Sequence, residues 1–208
     1  MRIMTDIREN FKKAYTRMLQ QEKFVQAVIS LSEDEGLDLD LARQVDERYG
    51  CLEIGDPDDM ANKYAGDDKW MDNSLSIIEN RFAYVIKAVV DYDEGQIINL
   101  KERFYGLGQE YMPEYEGLPI RHIYNVIRDL LLDGGRTEEL NEVISEEFDE
   151  IIWKRTRSST CKYWAYLDVD FNKYYLPLRQ QFIDGLTEKT DVEFKKLDES
   201  VCVLARRM

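Results

Sequence analysis

Histidine is almost missing from this chain: 208 residues carry one, His122. A single imidazole excludes a multi-histidine metal site, including the helical histidine pair with a glutamate that marks zinc peptidases. Cysteine is scarce as well. Cys51, Cys161 and Cys202 are widely spaced and odd in number. They fit neither a disulfide framework nor a zinc site and read as free thiols in a reducing compartment. Long apolar runs are lacking too, since no stretch approaches the ~20 residues of a membrane span. The first ten residues, MRIMTDIREN, have no signal-peptide core, so the expected location is cytoplasmic. Glycine-rich phosphate loops and the nucleophile elbow are absent, which removes the common motif-bearing enzyme classes and favours a binding protein over a catalyst.

Positive charge is in deficit. Lys and Arg number 28 against 42 Asp and Glu, a formal net charge of −14. Nucleic acid and anionic membranes need clustered cations, so neither is an expected partner. The one basic run, Lys154 Arg155 Thr156 Arg157, stands where a helix is expected to end and complements its dipole. Asp56 Pro57 Asp58 Asp59 and Asp67 Asp68 lack the spacing of a calcium loop and read as solvated turns.

What is present is helical periodicity. Phe11, Tyr15, Met18, Val25 and Ile29 form one stripe and predict a helix from about Asp6 to Leu31, with a shorter one over Leu39 to Tyr49. Gly50 to Gly66 collects turn formers. Leu75, Ile78, Phe82, Val85, Ile86 and Val89 predict a helix over Asp72 to Tyr92. Asp93 to Tyr105 follows as a helix with Gly106 and Gly108 as its stops. Leu118 Pro119 opens another, with Ile123, Val126, Ile127, Leu130 and Leu131 buried, up to Gly134 Gly135. Thr137 starts a last helix with the stripe Leu140, Val143, Ile144, Phe148, Ile151 and Ile152. Beyond Arg157 the texture becomes aromatic, and Val192 to Leu204 alternates as in a hairpin. The division is a helical domain at 1–157 and an aromatic-rich extension at 158–208 that can pack on it.

The segment DEGQIINLKERFYGLG, Asp93 to Gly108, resembles a helix of the phycobiliproteins, globin-like antenna proteins. Asp93 and Glu94, Ile97, Leu100, Lys101, Glu102, Phe104, Leu107 and Gly108 match the family pattern without a gap, and Phe148 Asp149 stands for its aromatic-Asp pair. The resemblance covers about Asp6 to Arg157 and implies a mainly α, globin-like fold with extra N-terminal helices. Counting back puts Asp72 on the family's pyrrole-binding Asp but Lys69 on its pigment-bearing Cys. A second register puts Lys87 on the propionate-binding Arg and Ile78 on the Cys. Either way the attachment thiol is gone.

The resemblance therefore implies kinship with the bilin biosynthesis-associated globins and non-covalent binding of a linear tetrapyrrole such as biliverdin or phycocyanobilin. The expected roles are Asp72 for pyrrole nitrogens, Arg81 and Lys87 for propionates, and Tyr84, Tyr105 and Tyr111 as walls. Cys51 or Cys161 is a substitute attachment point. Haem is disfavoured because Asp91 to Tyr111 holds no histidine, and His122, the remaining candidate ligand, lies beyond the loop. By analogy the protein is a homodimer through its N-terminal helices. The alternative is a ligand-free interaction or signalling module.

Overall fold

The structure, a computed structural model, describes residues 2–111, 117–132, 141–155, 160–198 and 200–207. It is mainly helical, with one small antiparallel sheet. Helix α1, Arg2–Asp34, buries Phe11, Tyr15, Met18, Val25 and Ile29 as its stripe requires. It stops where Gly36 takes φ +64°, with the Leu37 N–H donating to Ser32 O and the Gly36 N–H to Glu33 O. That paired bond satisfies carbonyls that the helix end leaves over.

Helix α2 is Leu41–Tyr49. The acidic turn after it folds into a further helix, α3, Pro57–Tyr64: Pro57 opens it and Asp56 accepts from the Asp58 and Asp59 N–H groups. Asp67 likewise caps α4, Asp68–Tyr92, by accepting from Trp70 N–H. The acidic runs are thus helix starts, where carboxylates meet free N–H groups and the positive end of the dipole. The whole stripe expected for α4 is buried.

A short turn at Glu94–Gln96 leads into α5, Ile97–Gln109. The expected stops at Gly106 and Gly108 are overturned: both lie inside the helix. At Gly108 the lack of a side chain is what matters, because a Cβ there would fall on the backbone carbonyl of Phe182 and 2.7 Å from Leu186 N. Helix α6 is Ile120–Leu130, directly after Pro119.

The helix expected up to Arg155 is overturned as well. Residues 141–155 form a hairpin of β1, Asn141–Glu146, and β2, Glu150–Arg155, closed by a Glu147 N–H to Glu150 O bond. Val143, Ile144, Ile151 and Ile152 are β-branched and fit a pleated surface. Their spacing also fitted a helix only because the turn at 147–149 was counted through. Phe148 Asp149, matched to the antenna family's last helix, is in that turn with Phe148 88% exposed. The expected stop at Gly134 Gly135 and the start at Thr137 lie outside the described residues.

Helices α7, Cys161–Tyr166, and α8, Tyr175–Thr187, precede the expected C-terminal hairpin, β3 (Val192–Lys196) and β4 (Val201–Arg206). The sheet order is β1-β2-β4-β3, so β4 pairs with β2 across the division expected at 157. Helix α8 packs along α5, and the extension forms one core with the helices before it. Phe24, Phe82, Phe104 and Phe182, from α1, α4, α5 and α8, meet at centroid distances of 4.9 to 6.0 Å. Trp153 of β2 lies edge-on to Tyr124 of α6 at 5.2 Å and tilted against Phe194 of β3 at 5.9 Å, which fastens the sheet to the helices.

Candidate functional site

The residues expected to bind a tetrapyrrole do not converge. Asp72 is exposed near the start of α4, while Lys87 lies near its end and pairs with Asp91 at 2.6 Å. Fifteen residues of helix separate the two by about 22 Å along the axis. Tyr84 donates its hydroxyl to Gln44 at 2.8 Å and lies beside Tyr49, with Arg48 over its ring. Tyr105 faces Glu188, and desolvation followed by that carboxylate pushes its phenol pKa up. Tyr111 bonds to Gln20 and accepts from Lys23 at 3.0 Å. His122 is exposed at the start of α6.

Arg81 is fully committed to the fold. Its Nε and Nη2 donate to the two carboxylate oxygens of Glu22 at 3.1 and 3.0 Å, and Nη1 donates to Asp46 at 2.5 Å and Gly50 O at 2.6 Å. Its side chain is 3% exposed. Burial opposes the charge, but the bonds to Glu22 and Asp46 more than offset it. The group ties α1, α2 and α4 together. Cys51, next in sequence to Gly50, is held away from the thiolate by partial desolvation and then by Asp46. This runs against an attachment role. Among the described residues no cluster of three or more His, Cys, Asp or Glu could hold a metal ion.

A broad concavity lies elsewhere, between α1 and α5. It is an open groove of about 930 Å³, and none of the seven expected site residues lines it. From α1 come Leu19, Lys23, Gln26, Ala27, Ser30 and Leu31; from α5 come Asn99, Glu102, Arg103, Gly106, Leu107 and Glu110. Each set recurs every three or four residues, which puts it on one face of its helix. The two helices run antiparallel, because Lys23 meets Tyr111 at one end while Arg103 pairs with Asp34 at 2.5 Å at the other.

The middle of the groove is floored by small residues, Ala27, Ser30 and Gly106, with Leu19 and Leu107 as apolar neighbours. Glu22 and Glu35 on the α1 side and Ile54, 71% exposed, complete the lining. Glu22 is neutralised from behind by Arg81. Glu35, Glu102 and Glu110 are exposed and form no ion pair among the described residues. The surface is therefore small and mostly apolar along its floor and, with Arg103 paired to Asp34 and Lys23 the remaining cation, acidic in balance at its rim; its lining supplies no thiol or imidazole.

Sequence reading missed this site because Ala27 and Gly106 carry no functional group and Ser30 only a hydroxyl with no catalytic motif around it. The available signal was the pairing of a small, half-exposed stripe on one helix with a small residue on another. No family model, curated protein or solved structure matches the chain. No described helix is long and apolar enough to cross a membrane.

Proposed function

We propose that this protein is a non-catalytic binding module whose site is the groove between α1 and α5, and that the occupant is a segment of another protein. The observation that carries this reading is the combination of a small-residue floor with an acidic rim. A volume of about 930 Å³ is ample for a ligand with an apolar body. The rim decides what the ends of that ligand carry. A bilin bears two propionates, which Glu35, Glu102 and Glu110 would repel.

The test is occlusion. Nile red, an uncharged apolar dye, is expected to brighten on binding wild-type protein, and Ala27→Trp or Gly106→Trp, which fill the floor, should abolish that signal while leaving the circular-dichroism melt in place. Equal dye binding by wild type and both filled variants refutes the groove as the site.

The globin-like, bilin-binding reading stands second. What supports it is the match over Asp93 to Gly108 and the size of the groove, with Lys23 of its lining as a partner for a propionate. It forgoes Arg81, which is spent on Glu22 and Asp46. Titration with biliverdin and phycocyanobilin separates the two readings: a shifted, intensified red band that Ala27→Trp removes would favour the bilin, and unchanged free-bilin spectra would eliminate it.

A further inference from the structure

We infer that the groove between α1 and α5 receives a basic amphipathic α-helix of about three turns; this rests on the groove being the binding site. Its length sets the size. The α1 stripe runs from Leu19 to Leu31 and the α5 stripe from Asn99 to Glu110, twelve and eleven residue steps. They therefore span roughly 16 to 18 Å, the rise of about three helical turns.

The lining selects a helix over a strand. Both walls are helix faces whose backbone groups are bonded within their own helices, so the groove offers no sheet edge on which an extended peptide could pair. A helix brings its own backbone bonds. Ala27, Ser30 and Gly106 allow it close approach, and a Cβ added at Gly106 would meet nothing within 4 Å. The vacancy is that of a third helix on an antiparallel pair, at the usual interaxial spacing of about 8–10 Å.

Charge selects the sequence. Arg103 is balanced by Asp34 and Glu22 by Arg81, while Lys23 lies over the Tyr111 ring at 5.3 Å. What remains for a ligand is Glu35, Glu102 and Glu110, spread along both walls, against one lining cation without a carboxylate partner among the described residues, Lys23, within a chain of net charge −14. An apolar stripe flanked by Lys or Arg satisfies floor and rim together, and attraction by the whole acidic surface speeds encounter. A second copy of this chain would bring the same negative charge and is the poorer occupant.

The probe is a fluorescein-labelled 14-residue peptide of leucine and lysine, with leucine at i, i+3, i+4, i+7 and i+11. A twin carries glutamate for every lysine. Anisotropy titrations of the full chain are expected to give at least about tenfold tighter binding of the lysine peptide than of its twin. Combining Glu35→Lys, Glu102→Lys and Glu110→Lys should weaken the lysine peptide by about tenfold or more, and Ala27→Trp should do the same with the charges intact.

Equal binding of the two peptides, or of the lysine peptide to wild type and to the folded filled variants, overturns the inference. Gly106→Trp substitutes if Ala27→Trp fails to fold. Dye binding lost in the filled variants while the peptide is indifferent to them removes the basic helix and leaves the groove standing. Dye binding indifferent to filling removes both. Sedimentation velocity showing a dimer that Ala27→Trp dissociates makes a second copy the occupant and likewise overturns the inference.

Discussion

Gly108 and Gly106 stand two residues apart on α5 and meet different surroundings. A Cβ at Gly108 would strike the backbone of Phe182 and Leu186, and one at the facing Gly185 would strike the backbone of Tyr105. A Cβ at Gly106 would meet nothing within 4 Å. One face of the helix is closed by α8 with backbone against backbone, and the other is open onto the groove. The same residue type is thus a packing requirement on one side and an unfilled space on the other. The sharpest tests are substitutions that treat the two sides alike and should give unlike results.

The largest effect is expected behind the groove, at Arg81. Removing its guanidinium leaves Glu22, 11% exposed, as an uncompensated charge in the α1–α4 contact. Breaking such a buried pair costs about 3–5 kcal/mol. Arg81→Ala should therefore lower the melting temperature by about 10 °C. Arg81→Met combined with Glu22→Leu should recover most of that loss. An Arg81→Ala protein with wild-type melting but weakened ligand binding would restore the ligand role suggested by its place on α4.

Next comes the closed face. Gly108→Ala forces α5 and α8 apart along backbone atoms that cannot rotate aside, and overpacking of this kind costs about 3 kcal/mol. A chemical-denaturation midpoint unchanged by Gly108→Ala would mean that the two helices do not lie as close as described. Asp184 belongs to the same side. Burial raises its carboxyl pKa from 3.8 to about 6, against a weaker opposing bond to Gln180. The folded state thus holds this proton more tightly than the unfolded chain does. Stability is unpenalised below 3.8, falls as pH rises towards 6, and stays reduced above it. Asp184→Asn should remove that slope and raise stability at neutral pH by about 1–2 kcal/mol, discounted for the group's partial exposure. Urea midpoints at pH 4.5 and 7.5 that fall equally in wild type and Asp184→Asn would contradict this.

Much of the helical frame was legible in sequence because burial follows the 3.6-residue period directly: the stripes at Phe11 to Ile29 and Leu75 to Val89 are core. The hairpin at Val192 to Leu204 was legible from its alternation. The β1–β2 hairpin was not, because Val143, Ile144, Ile151 and Ile152 satisfy a helical count once the turn at 147–149 is passed over. The glycines of α5 misled for another reason. A glycine chosen for a left-handed turn and one chosen for having no side chain are the same letter, and only the neighbour, α8, tells them apart. Arg81 read as a ligand cation because a carboxylate partner 59 residues away, Glu22, leaves no local trace, whereas the partner of Lys87, Asp91, stands four residues on in the same helix, where the spacing alone offered it. The groove was invisible for a related reason: it lies between two helices, and one helix face gives no sign of what its neighbour leaves uncovered.

The smallest expected effect tests the open face most directly. Gly106 lies in the interior of α5, where glycine costs a helix about 0.5–1 kcal/mol relative to alanine. With space for the methyl group and no left-handed φ to preserve, Gly106→Ala should stabilise the protein by that amount, opposite in sign to Gly108→Ala. The methyl group also raises the floor of the groove, so the same change should modestly weaken any ligand that approaches closely there. A thermal melt beside a peptide titration reads both quantities. Gain of stability with loss of affinity marks a glycine retained for the ligand. Gain of stability with unchanged affinity would move the contact away from the floor and towards the rim carboxylates.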